Sequence, residues 1–230
     1  MTPTSRNTPR WLAARRAVLA AARRMGKRGL VTGMAGNVSM RLPSARGRAL
    51  IAVTPSQRPY DRLRPEDIVV VDSAGAVVDG SVAPSSELPL HLAVYRARSD
   101  VGAVMHTHSV HASALAVAGL ALPPVLDELV VFVGGAVEVA EYGMSGTREM
   151  AERAVRALGD RNAALLRNHG LVGVGGTPGE ALDVCELVER AARVYIMALL
   201  LRGPPCGLPP DVVRKEGKLF RARQAKRRQL

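Results

Sequence analysis

The hydrophobic period of this chain switches between helical and extended along its length, and that switch restricts it to a mixed fold. Trp11 to Met25 carries apolar residues at helical spacing with arginines on the opposite face, which predicts an amphipathic helix. From Gly33 to Val71 the pattern becomes short alternating or apolar runs, Val38 to Leu42, Ala49 to Val53 and Ile68 to Val71, separated by Gly, Pro, Ser and Asp. These read as antiparallel strands and turns, and a further hairpin turns at Ala74 and Gly75. Ser85 or Ser86, then Glu87 and Pro89, is a helix start, because a hydroxyl cap, an acid and a proline all suit the first turn. That helix should run to about Arg98.

Val101 to Thr107 predicts a strand, His111 to Ala118 a helix, and Val130 to Val139 a glycine-interrupted strand pair. Arg148 to Leu158 reads as helix and Ala163 to Arg167 as a short buried strand. Thr177-Pro178-Gly179-Glu180 is a capping box with proline at the first helical position, opening a helix to about Leu201. Pro204, Pro205, Pro209 and Pro210 then predict an irregular tail. The expected result is an α/β fold, a mainly antiparallel sheet flanked by helices, in a single domain over residues 1–230 with a basic N-terminal helix and a basic C-terminal tail from about 203 to 230.

Composition removes several classes of function. With 47% apolar and 23% charged residues in 230, the chain is neither disordered nor fibrous. Its two cysteines, Cys185 and Cys206, build no disulfide framework and suit a reducing cytoplasm. The region Val110 to Val139 is cut by Pro123, Pro124, Asp127 and Glu128, so no membrane span is expected, and Ala17 to Ala22 followed by Arg23 and Arg24 is unlike a signal peptide. The net charge of +12 suggests nucleic acid at first sight. Residues 1–28, however, hold eight Lys/Arg and no acid, and residues 214–230 hold eight with only Glu216, which leaves 16 basic against 19 acidic residues between them. The body is slightly acidic, and one Trp, four Tyr and two Phe offer little for base stacking. Specific nucleic-acid binding is therefore not expected, and the ends read as solvated.

The histidines carry the first chemical signal. His106 and His108 are two apart on a predicted strand, so their side chains share a face and are close enough to grip one cation. His169 follows another strand and precedes Gly170, and it joins the pair if the two strands are neighbours. Glu87 lies at a helix N-terminus, where the dipole favours an ionised carboxylate. His91, four residues after Glu87, and His111 either replace one of these ligands or fill a helix face, and spacing alone does not choose. A second group of residues is Gly36-Asn37-Val38-Ser39, Thr54-Pro55-Ser56-Gln57 and Ser85-Ser86, small hydroxyl and amide side chains on turns of the kind that cradle a phosphate. Each of these turns on its own is also ordinary turn chemistry.

In order, Gly36-Asn37-x-Ser39, Thr54-Pro55, Ser85-Ser86-Glu87, His106-Thr107-His108, Tyr142-x-x-x-Gly146-Thr147 and Asn168-His169-Gly170-Leu171 resemble the class II aldolase/adducin family over roughly Trp11 to Leu201. The resemblance implies a three-layer α/β/α fold and a homotetramer with active sites between subunits. It implies one Zn2+ per subunit held by His106, His108 and His169, with Glu87 as a movable fourth ligand that acts as acid and base. It also implies a phosphate site at Gly36, Asn37, Ser56, Gln57, Ser85 and Ser86. The implied reaction is reversible cleavage of a deoxy-ketose 1-phosphate, such as L-fuculose 1-phosphate, into dihydroxyacetone phosphate and a short aldehyde. The negative charge of its enediolate is offset by a divalent metal. Imidazole and carboxylate ligands also suit cobalt, manganese or iron.

Two departures from the family pattern bear on the substrate. Gln57 stands where the family aldolases usually have glycine, and Leu126 to Leu129 holds Asp127 and Glu128 where they place a tyrosine that protonates the aldehyde oxygen. The same architecture also serves sugar-phosphate epimerases, a dehydratase, decarboxylases and the non-catalytic adducin domain. A retained set of zinc histidines argues against the last.

Overall fold

The computed structural model describes residues 9–45, 48–201 and 207–229, and places Cys206, Pro204 and Pro205 outside the described residues. Its centre is a sheet of eight strands: β1 (Asn37–Ala45), β2 (Arg48–Val53), β3 (Val69–Asp72), β4 (Val77–Asp79), β5 (Ala103–Thr107), β6 (Val139–Ala140), β7 (Ala163–Leu166) and β8 (Gly170–Gly175). The spatial order is β4-β3-β2-β1-β5-β8-β7-β6. Every pairing is antiparallel except β6 with β7, as the alternating pattern of the first half led one to expect.

Helices cover both faces. Leu19, Ala22 and Met25 of α1 (Pro9–Lys27), Leu115 of α3 (Val110–Ala118) and Leu182 and Val188 of α5 (Pro178–Leu200) share one buried cluster with Val38, Met105 and Leu171 of the sheet. On the other face Leu90 and Val94 of α2 (Leu88–Ala97) and Ala154 and Leu158 of α4 (Arg148–Leu158) pack on Val104, Val172 and Val174. Alternate residues of β5 and β8 thus feed two apolar layers, which makes the fold the expected α/β/α sandwich. No described helix is long and apolar enough to cross a membrane.

Local signals account for two of the helix starts. Thr147 and Thr177 each accept from the backbone N–H three residues on, at 3.2 Å, and Glu180 accepts from Gly176 N–H at 3.0 Å, one residue earlier than a capping box requires.

Two expectations are corrected. Val130 to Val139 is not a strand pair: Leu129–Val133 is a π-helical turn closed by the Gly134 N–H on the Leu129 carbonyl at 3.0 Å, and only Val139–Ala140 is strand. Its β-branched run invites a strand, but Asn162 binds the Phe132 and Val133 carbonyls from its side chain and backbone, and Phe220 packs on Gly134. Tertiary partners thus override propensity. Nor is the end of the chain an irregular tail, because Pro210–Arg227 forms helix α6, with proline at its first turn and Phe220 buried against the π-helical turn. A single aromatic anchor gives this basic segment an apolar side to fold onto.

Candidate metal centre and active site

The site forms where β1, β5 and the β7–β8 turn meet the N-terminus of α2. Asn37 on β1 lies opposite His106 on β5, which in turn lies opposite Val172 on β8, so register alone sets an amide beside an imidazole. Gly36 precedes this pairing at φ +74°, and a β-carbon there would come within 2.6 Å of the His106 carbonyl. Only glycine lets the chain approach β5 this closely. His169 is carried by the turn between β7 and β8, where Asn168 adopts φ +55°, a conformation asparagine tolerates.

The three histidine rings gather with centroids 4.6 to 5.0 Å apart. Glu87, the residue before α2, faces them, its Oε2 3.1 Å from His106 Nε2 and its Oε1 3.3 Å from His169 Nε2. One ligand atom from each of Glu87, His106, His108 and His169 lies within 4.8 Å of the others. The tautomers fit a cation. His106 Nδ1–H donates to the Leu171 carbonyl at 3.0 Å, which leaves Nε2 a bare lone pair pointing at His108 Nε2 2.8 Å away. A bare imidazole nitrogen that also faces the Glu87 carboxylate 3.1 Å away needs positive charge beside it, so the donor set suits a divalent metal ion.

Electrostatics reinforces this. Burial, only partly offset by Glu87, keeps His106 below the ordinary imidazole range, and burial together with His169 does the same for His108. Both stay neutral, which is the ligating form. Burial alone would push the Glu87 carboxyl up, but His106, the Ser145 hydroxyl, the Asn37 amide and His169 together hold it below the usual carboxylate range. Ser145 Oγ donates to Oε1 at 2.6 Å and Asn37 Nδ2 donates to Oε2 at 2.8 Å. Ser145 is a functional candidate that sequence reasoning missed. It lies within the span Tyr142 to Thr147 picked out as a motif, but at one of the positions left unspecified there.

The remaining expected residues line one cavity of about 210 Å³ that opens onto the same carboxylate, with Gly36 and Asn37, Ser56 and Gln57, and Ser85 and Ser86 on its walls beside Glu87, His108 and His169. Backbone pairing closes it: Ser56 N–H reaches the Ala83 carbonyl and Ser85 N–H the Thr54 carbonyl, each at 3.0 Å. Ser85 Oγ accepts from Glu87 N–H at 3.2 Å. Tyr60 braces the opposite wall by donating to the Gly36 carbonyl. Gln57 is exposed at φ +52°, a left-handed conformation that costs a glutamine strain at the rim of the cavity.

The structure also decides between the spare histidines. His91 is buried and bonded to Asn37 and Ser39, and His111 pairs with Glu189, so neither joins the cluster. Asp127 and Glu128 do not line the cavity, and Glu128 instead pairs with Arg190 at 2.7 Å.

Comparison with known proteins gives the family. Residues 16–196 match the family model "Class II Aldolase and Adducin N-terminal domain". A 5-deoxy-D-ribulose 1-phosphate aldolase of Bacillus thuringiensis is 37% identical over 206 residues, covering 90% of this chain and 94% of that protein. An L-fuculose phosphate aldolase of Escherichia coli K12 is 34% identical over 180 residues, covering 78% and 81%. A solved structure of an L-fuculose 1-phosphate aldolase superposes with a TM-score of 0.84 at 32% identity, over 91% of this chain and 96% of that one.

Proposed function

Because the chain belongs to the class II aldolase and adducin family and is a metal-dependent aldolase of it, we propose that it reversibly cleaves a deoxy-ketose 1-phosphate into dihydroxyacetone phosphate and a short aldehyde, using one Zn2+. The observation that carries this reading is the convergence of a carboxylate, three imidazoles and an anion-sized cavity at one point. The names of its relatives support the substrate class, since fuculose and 5-deoxyribulose phosphates are both deoxy-ketose phosphates.

His106, His108 and His169 would hold the ion, joined by Glu87 until substrate enters. The ion supplies Lewis acidity that offsets negative charge on the ketone oxygen. Ser56, Ser85 and Ser86, with Gly36, Asn37 and Gln57, receive the phosphate, offering hydroxyls, amides and backbone N–H groups without a cationic side chain. Glu87, held ionised by Ser145 and Asn37, removes the proton from the reacting carbon of dihydroxyacetone phosphate in the synthetic direction and returns it in cleavage. The enzyme works as a homotetramer in a reducing cytoplasm, an assembly that sizing chromatography at two protein concentrations checks.

A second reading, a sugar-phosphate dehydratase or epimerase of the same fold, is favoured by one observation: no tyrosine stands between Leu126 and Leu129 to protonate an aldehyde. One experiment separates the two. Zinc-loaded protein is offered L-fuculose 1-phosphate and 5-deoxyribulose 1-phosphate in turn, and dihydroxyacetone phosphate and product mass are followed. Metal-dependent release of dihydroxyacetone phosphate supports the aldolase. Products of unchanged carbon count would replace it with the second reading.

A further inference from the structure

Behind Glu87 and Asn37 lies a chain of buried polar groups, His91, Ser39 and Tyr95, that the reaction proposed above does not use. Asn37 Nδ2 donates to Glu87 Oε2 at 2.8 Å, which turns Asn37 Oδ1 toward His91 Nε2 at 2.5 Å. His91 Nδ1 lies 2.6 Å from Ser39 Oγ, and Ser39 Oγ lies 2.8 Å from the Tyr95 hydroxyl. Asn37, Ser39 and Tyr95 are at most 5% exposed and His91 is fully buried.

The directions of these bonds follow from one another. The carboxylate only accepts, so the Asn37 amide nitrogen must face it and its oxygen must face His91. His91 Nε2 must therefore carry a proton. Burial holds this imidazole neutral, lowering it to about 4, so Nδ1 is bare and accepts from the Ser39 hydroxyl. Ser39 in turn accepts from Tyr95. Every donor thus points toward Glu87, and bonds aligned in one direction polarise each other. A terminal amide is nearly symmetric in shape, and His91 Nε2–H on its oxygen reinforces the orientation that the carboxylate favours, since a flip would set the amide oxygen against the carboxylate and the amide N–H against the imidazole N–H.

We propose that His91 is a positioning residue for Glu87: anchored by Ser39 and Tyr95, it locks the Asn37 amide so that a donor rather than an acceptor meets the carboxylate. This rests on the reading of Glu87 as metal ligand and proton carrier. It also gives Asn37 a task besides lining the phosphate cavity.

The test is His91→Phe, which keeps the ring's bulk and removes both nitrogens, with Ser39→Ala as a milder change should the first fail to fold. Two readouts are taken on protein with full metal content: the visible spectrum of the cobalt-loaded form, which reports whether Glu87 coordinates, and kcat and KM for the better sugar phosphate. The expected result is an unchanged metal stoichiometry, a cobalt spectrum moved toward that of Glu87→Gln, and kcat reduced about 10- to 100-fold with KM changed far less. The double variant His91→Phe/Glu87→Gln should be no slower than Glu87→Gln alone, because both changes act through one carboxylate. A cobalt spectrum identical to that of the unaltered protein, or losses that multiply in the double variant, would overturn the proposal and leave His91 as core filling. If the unaltered protein releases no dihydroxyacetone phosphate, the aldolase substrate reading fails, and the cobalt spectrum still decides the role of His91.

Discussion

Two carboxylates in this molecule each meet a histidine beside the start of a helix, and they do opposite things. Glu189 reaches across from α5 to α3, accepting the backbone N–H groups of His111 and Ala112 at 3.0 and 2.9 Å and lying 2.7 Å from His111 Nδ1. All its partners are donors, and two of them are orphan N–H groups of a helix end, so it is a cap supplied from another helix. Glu87 accepts from two side chains, Asn37 and Ser145, and then faces imidazole nitrogens of His106 and His169 beside an open cavity. A carboxylate engaged by the backbone donors of a helix end acts as a cap, whereas one held by side chains and facing the bare Nε2 of His106 suits a cation.

The strongest way to break that contrast is to remove a histidine from the Glu87 side. His106→Ala should release the metal and with it all turnover, as measured by metal content after dialysis. Stoichiometric zinc in that variant would show that the cluster is not the metal centre. Next in size, Glu87→Gln should keep the ion and lose about 10²- to 10⁴-fold in kcat, because the imidazoles still ligate while the proton carrier is gone.

Acid stability sharpens the comparison further, because His91 is fully buried behind Glu87. Its folded pKa, about 4, lies below the ordinary 6.5, so the unfolded chain takes up the proton first as pH falls. The stabilisation it gives at neutral pH is therefore lost between about 6.5 and 4, with a slope approaching 1.4 kcal/mol per pH unit for this one group. Denaturant melts of metal-free protein across that window should show a shallower slope in His91→Phe, and an unchanged slope would mean that His91 is not what titrates. The smallest effect belongs to the cap: Glu189→Ala should cost about 1 kcal/mol of stability and leave kcat per folded molecule unchanged. A large loss of kcat there would erase the distinction between the two carboxylates.

What could be read from the sequence follows the same division between local and tertiary causes. The period-two placement of His106 and His108, the cap at Thr177 and the small-residue turns at the cavity are decided within a few residues, and they are found where expected. Strand β8 gives no such signal, because Gly170, Gly173 and Gly175 read as turn residues. At Gly173 a β-carbon would come within 2.5 Å of Cys185 Sγ, so the glycine is there to let α5 lie against the sheet. Ser145 is a generic loop serine until the fold brings it 2.6 Å from Glu87, and α6 depends on Phe220 finding Gly134, 86 positions earlier in the chain. The bond from His91 to Asn37 likewise joins α2 to β1, and no spacing rule connects them.

The claim that the account depends on most is that Glu87 and the histidine-held metal act together on a phosphorylated sugar. The most direct measurement is the rate at which zinc-loaded wild-type and Glu87→Gln proteins of equal metal content release dihydroxyacetone phosphate from 5-deoxyribulose 1-phosphate and from L-fuculose 1-phosphate. The account predicts release by the wild type from at least one of the two, abolished by chelation and reduced at least about 100-fold by the substitution. Equal rates from the two proteins would contradict it.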